Sequence, residues 1–256
     1  MTLHQIHNHL GLGMSLMDIE IQGLTKKYIT LMALRNVSLN VNRGESVGLI
    51  GSNGAGKSTL LHILMGFISF DEGIVKILGK SSVHIDATTK EKIGFVAEEI
   101  SLLPWATLLD IAGLYKHLYS QWDEDMLSRF IAEWEIVTDK HMRSVSKGQR
   151  RLAELALCFS CHPTILLLDE PFLGLDSVMR IKVLSVMKEM NSQYGTTIFY
   201  SSHILSDIEK IANRVIIIRQ GEICLDEQIS NLQSSVEKTF VKYYGLSSEE
   251  TALSGE

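Results

Sequence analysis

Nine residues, Gly51-Ser52-Asn53-Gly54-Ala55-Gly56-Lys57-Ser58-Thr59, constrain this chain more than any other stretch. They follow Ser46-Val47-Gly48-Leu49-Ile50, an apolar run of strand length. They open Leu60-Leu61-His62-Ile63-Leu64-Met65, where apolar positions 60, 61, 64, 65 and 68 keep helical spacing. Strand, glycine-rich turn and helix in that order form the context of a phosphate-binding loop. Its glycines, Gly51, Gly54 and Gly56, let N–H groups approach phosphate oxygens, and the helix N-terminus adds partial positive charge. Lys57 is placed to reach the β- and γ-phosphates and the Ser58 hydroxyl to ligate Mg²⁺, with Thr59 as a neighbouring donor. The stretch predicts that the chain binds a nucleoside triphosphate.

The surrounding pattern is α/β. Met17 to Ile21 alternates apolar and polar residues and predicts an edge strand; Val37 to Asn42 alternates more cleanly. Further strands are predicted at Gly73 to Leu78, Ile93 to Val96, Ile165 to Leu168, Thr196 to Tyr200 and Arg214 to Ile218. The last three are nearly all apolar, as in a parallel sheet covered on both faces. Between residues 108 and 134 there is no strand pattern; apolar positions 108, 111, 112, 115 and 118, then 126, 127, 130, 131 and 134, predict two inserted amphipathic helices. Helices are also expected through 152–159, 178–190 and 204–212. Residues 1–16 are expected to be a flexible extension, with Met14 and Met17 each able to begin the domain and His4, His7 and His9 solvated rather than metal-bound. From Leu232 the chain is polar and weakly patterned, and 236–256 is expected to be a partly disordered tail.

The apolar strand ending at Leu168 runs into Asp169-Glu170. Two adjacent carboxylates at the carboxyl edge of a buried strand are costly unless a cation offsets them. Asp169 is therefore expected to bind Mg²⁺ directly or through water, and Glu170 to polarise an attacking water. His203 follows another strand at the same edge. Ser146-Lys147-Gly148-Gln149 has the form of a serine-capped helix start, and Asp176 alone suits a turn. Tyr28 has two readings, cover for the sheet or an aromatic platform.

Together these pieces resemble the ATP-binding subunits of ABC transporters over about residues 17–230. Gly51 to Thr59 matches the Walker A motif, Ile165 to Glu170 Walker B, Gly174-Leu175-Asp176 the D-loop and His203 the switch histidine. Val145-Ser146-Lys147-Gly148-Gln149 stands at the signature motif, with Lys147 in place of a glycine. Ala97-Glu98-Glu99 occupies the Q-loop, where the family usually has glutamine, so Glu98 becomes a candidate metal ligand. The resemblance implies that Tyr28 stacks on adenine. It implies a P-loop ABC ATPase core spanning 17–235, with an antiparallel β subdomain and an inserted helical subdomain at about 97–160. It further implies a second ATP-binding subunit, identical or not, whose Ser146 and Gly148 meet the γ-phosphate in trans, with Gln149 and Asp176 also among the nucleotide-binding residues. Glu170, His203 and Lys57 are the implied catalytic groups. The signature variant and the Ser201 to Lys210 stretch look most like the antibiotic, lantibiotic and multidrug exporter branch, whose permeases are separate membrane chains.

Composition limits the alternatives. A formal charge of −6 argues against a nucleic-acid partner held by phosphate neutralisation. No apolar run is long enough to span a bilayer. The first residues lack a basic start and a continuous apolar stretch, so the cytoplasm is the expected location; the resemblance implies a peripheral position there, on the inner face of the cell membrane. A soluble or regulatory ABC ATPase that gates a partner without transport is the alternative. Leu102, Leu103, Pro104, Trp105 and Leu108 form an apolar cluster expected to contribute a groove for a permease helix, with Trp105 as anchor. Cys158-Phe159-Ser160-Cys161-His162 spells a haem-attachment pattern, but core packing is expected there.

Overall fold

The computed structural model describes residues 17–100 and 102–245. In chain order its strands and helices are β1 (Met17–Tyr28), β2 (Leu31–Asn42), β3 (Ser46–Ile50), α1 (Lys57–Leu64), β4 (Glu72–Ile77), β5 (Lys80–Ser81), α2 (Ala87–Lys90) and β6 (Ile93–Val96). Next come α3 (Leu108–Leu118), α4 (Glu124–Glu133), α5 (Lys147–Phe159), β7 (Ile165–Leu168) and α6 (Ser177–Tyr194). The chain continues through β8 (Thr197–Ser201), α7 (Leu205–Ile211), β9 (Arg214–Arg219), β10 (Glu222–Gln228) and α8 (Val236–Tyr244).

Six strands make the main sheet in the order β10-β9-β3-β8-β7-β6, parallel except for β10. A strand's side chains alternate between faces, and here both faces are apolar. Leu166 and Leu168 pack with the helical segment on one side, while Ile165 and Leu167 pack with α1 and the second sheet on the other. That burial on both faces is the reason the strand sequences show no polar alternation.

The second sheet is antiparallel, in the order β2-β1-β4-β5. β1 is longer than the predicted edge strand and lies between β2 and β4. The pairing with β2 shifts register between Ile21 and Leu24, around Gly23 at φ +60°, so the period-two pattern breaks and conceals the strand's second half.

The inserted helices start on side-chain caps. Thr107 and Asp110 form a capping box on α3, Asp123 caps α4, and Ser146 caps α5. Phe130, Trp134 and Phe159 pack into a buried aromatic cluster beneath them. Leu108, expected on a docking surface, is fully buried in this core. The polar tail contains α8, capped by Ser235, which corrects the weakly patterned reading of 236–244. Residues 1–16 and 246–256, with His4, His7 and His9, lie outside the described residues.

Candidate functional site

The parallel strands end in register. Val96 pairs with Leu168, Leu168 with Tyr200, and Leu49 with Ser201. The residues that follow, Glu98, Asp169-Glu170, His203 and the 51–59 loop, therefore collect at one sheet edge. They enclose a cavity of about 540 Å³, lined among others by Tyr28, Asn53, Gly54, Gly56, Lys57, Ser58 and Thr59 together with Glu98, Asp169, Glu170 and His203. Tyr28 is half-exposed at its mouth.

The loop's shape depends on glycine. Gly56 has φ +111°, and a Cβ there would sit 2.6 Å from the Ala33 carbonyl oxygen. Gly56 is also the N-cap of α1 and offers no side chain to the helix's first N–H groups, leaving them to a ligand. Lys57 is buried, and its Nζ donates to Gly51 O at 2.8 Å and Ser52 O at 3.3 Å.

Opposite the loop, Ser201 Oγ donates to Asp169 Oδ1 at 2.6 Å and accepts from the Glu170 N–H at 2.9 Å. Glu170 has φ +48°, a left-handed conformation costly for a residue with a Cβ. Its Oε2 accepts from the His203 backbone N–H at 3.3 Å and lies 2.7 Å from His203 Nδ1. With an N–H already aimed at that oxygen, the Nδ1–H tautomer suits the contact. Asp169 Oδ2 is buried without a hydrogen-bond partner.

Those features fit Mg²⁺. The ion prefers hard oxygen ligands, and Asp169 Oδ2, Ser58 and Glu98 supply them at one cavity. Among the described residues no cluster of three or more His, Cys, Asp or Glu side chains forms a metal cage by itself. Such a site suits an ion shared with substrate phosphates.

Glu98 is exposed, but its backbone is gripped from below. Arg151, fully buried on α5, donates through Nη1 to Ala97 O at 2.6 Å and to Glu154 Oε2 at 2.9 Å, and through Nη2 to Glu98 O. Burial lowers the Arg151 pKa, while Glu154, Asp169 and Glu98 draw it back upward; the guanidinium stays charged.

Of the predicted site residues, Gly51, Ser52 and Ala55 of the loop, and Ser146, Gly148, Gln149 and Asp176 beyond it, do not line the cavity. Ser146 accepts from Gln149 N at 3.2 Å as the cap of α5. The Gln149 side chain accepts from Val137 N and donates to Glu135 O, holding the approach to that helix. A Cβ on Gly148 would come within 2.8 Å of Gly174 O, so the signature turn packs closely against the D-loop of its own chain. Asp176 caps α6 through Val178 N and Met179 N. The Ser52 N–H donates to Tyr244 Oη at 2.8 Å, while its carbonyl accepts from Lys57.

Sequence reasoning missed Ser201, Arg151 and Tyr244. Each acts through a partner distant in sequence; the only local signal was helical spacing of Val236, Phe240, Tyr243 and Tyr244. In the haem-like stretch, Cys158 and Cys161 are buried, and burial raises both thiols, Cys161 to about 12. His162 instead contacts Asp123 at 2.9 Å.

Comparison with known proteins gives a consistent family. A family model described as "ABC transporter" matches residues 34–173. The aliphatic sulfonates import ATP-binding protein SsuB 3 of Pseudomonas syringae pv. tomato is 33% identical over 233 residues, 88% of this chain and 80% of its own length. The linearmycin resistance ATP-binding protein LnrL of Bacillus subtilis is 29% identical over 211 residues, 80% of this chain and 67% of its own. A dimeric, post-hydrolysis structure of the ATP-binding cassette MJ0796 with ADP and Pi superposes at TM-score 0.76 and 26% identity, covering 84% of this chain and 100% of that one.

Proposed function

The chain belongs to the ABC transporter family as an ATP-hydrolysing cassette, and from that premise we propose that it drives a separately encoded membrane permease that exports an antibiotic, peptide or other amphipathic compound. The observation that carries the catalytic part is the Glu170–His203 contact facing Lys57 across one cavity. Glu170 is the base that polarises the attacking water. His203 holds its carboxylate in place, and Lys57 with the loop N–H groups holds the phosphates. Tyr28 at the mouth offers its ring to adenine. Asp169, Ser58 and Glu98 would hold Mg²⁺, which supplies charge neutralisation on the phosphates when bound.

Ser146 and Gly148 sit outside the cavity of their own chain, which supports a working unit of two cassettes, each lending its signature turn to the other's nucleotide. A groove lined by Phe95, Leu102, Leu103, Leu114, Tyr115 and Leu118 is our candidate seat for a permease helix. Trp105 is exposed beside α3 but does not line it, so the anchor role passes to Leu114 and Leu118. Among the described residues no helix is long and apolar enough to cross a membrane.

Export rests on the likeness to LnrL and on the Ser-Lys-Gly-Gln signature; the likeness to SsuB 3 favours import. Glu170→Gln should lower ATP turnover at least about 100-fold, the contribution of a general base. ATP binding should persist, with an ATP-dependent dimer accumulating on a sizing column. Turnover at the wild-type rate would remove Glu170 as the base. With the permease in inside-out vesicles, export predicts ATP-driven accumulation of the compound in the lumen; accumulation only in right-side-out vesicles would mean import.

A further inference from the structure

The C-terminal helix α8 reaches the nucleotide loop through one side chain. A phenol has one proton to give, and Tyr244 Oη donates it to Ile218 O at 2.7 Å, at the end of β9. Its lone pair then accepts the Ser52 N–H at 2.8 Å. That N–H belongs to the Gly51–Ser52 peptide. The carbonyl of the same peptide, Gly51 O, accepts from Lys57 Nζ at 2.8 Å. One peptide plane is thus held on one side by Tyr244 and on the other by Lys57, the proposed phosphate ligand.

The clamp is itself held. The Tyr244 ring stacks on Phe240 with centroids 4.2 Å apart, and the Arg219 guanidinium lies 5.6 Å from its centroid. Arg219 also donates to Tyr243 O at 2.9 Å. At the other end of α8, Val236 is buried and its N–H donates to Glu209 Oε1 at 2.6 Å.

We propose that Tyr244 is a positioning residue for the nucleotide site, fixing the Gly51–Ser52 peptide and through it Lys57, so that ATP affinity depends on the docked C-terminal helix. This rests on the assignment of the cavity as the ATP site. Tyr244→Phe keeps the ring and its packing on Phe240 and removes the hydroxyl alone. KM and Kd for ATP should rise about fivefold, roughly 1 kcal/mol, with kcat within twofold of wild type. Amide hydrogen exchange through residues 51–59 should accelerate in the nucleotide-free protein, while β7 and β8 keep their protection. ATP affinity within twofold of wild type together with unchanged exchange in 51–59 would overturn the clamp. Lys57→Ala, measured alongside, separates the two ideas: undiminished ATP affinity there would count against the ATP site, whereas the exchange readout tests the clamp without nucleotide.

Discussion

At the residue scale, Ser201 is the least conspicuous member of the site and among the most consequential. Its hydroxyl holds Asp169 by donation and Glu170 by acceptance, fixing two neighbouring acids that must point in different directions. It also helps support the left-handed backbone of Glu170, a conformation that costs about 1–3 kcal/mol. Ser201→Ala leaves a buried carboxylate oxygen and a buried N–H each short of a partner. Unfolding in urea should register a loss of about 1–3 kcal/mol, and kcat should fall at least about tenfold, roughly 1.4 kcal/mol of transition-state stabilisation. An alanine variant turning over within twofold of wild type would mean that the acids are positioned without the hydroxyl. The acids themselves were legible in sequence because charge at the end of an apolar strand needs a reason. Ser201 was not, because a serine ending a strand has many ordinary uses, and its meaning lies in Asp169 and Glu170, just past the end of the neighbouring strand. Tyr244 was harder still, its partner Ser52 lying 192 residues away.

At the element scale, what could be read depended on whether burial left a period in the sequence. β7, β8 and β9 were legible because they bury both faces, and the inserted helices because one face is apolar. β1 lost its second half to the bulge at Gly23, and α8 was masked by Glu237, Lys238 and Lys242 between its apolar positions. Caps show the same contrast. Asp123 is recognisable as a helix start, yet its second partner, His162, comes from the stretch that mimics haem attachment. Asp123 accepts from Met126 N at 2.8 Å, and hydrogen bonds from His162 and then Met126 hold its carboxyl below the usual range. A depressed folded-state pKa stabilises the fold above the unfolded value near ~3.9 and loses that contribution as pH falls through the folded value. Asp123→Ala should therefore cost about 1 kcal/mol at pH 7, as a lost cap does. The gap between variant and wild type should narrow below about pH 4. Urea midpoints compared at pH 7 and pH 3 measure it; a gap that stays constant with pH would show that the carboxylate charge contributes nothing.

At the scale of the whole molecule, the sequence points to a candidate nucleotide edge and to a helical insertion but not to the contact that joins them. Glu154 lines the apolar groove and pairs with Arg151; Arg151 holds the carbonyls of Ala97 and Glu98; Glu98 lines the proposed nucleotide cavity. The same helix, α5, is capped by Ser146. A shift of that helix under a permease would therefore move the signature turn and Glu98 together. Removing Arg151 alone would take a buried cation out of an ion pair and from two backbone carbonyls, and cost about 3–5 kcal/mol, confusing stability with coupling. The informative variant is Arg151→Met with Glu154→Gln, which removes both charges and keeps side chains of similar length. In proteoliposomes with the permease, this double variant should bind ATP within about threefold of wild type, a difference under ~0.7 kcal/mol. Permease stimulation of its turnover should nevertheless fall to almost nothing, because the groove no longer reports to Glu98. Stimulation equal to wild type would show that coupling runs through the packed core of α3 and α5 instead, and that Arg151 serves only to hold the 97–98 backbone in place.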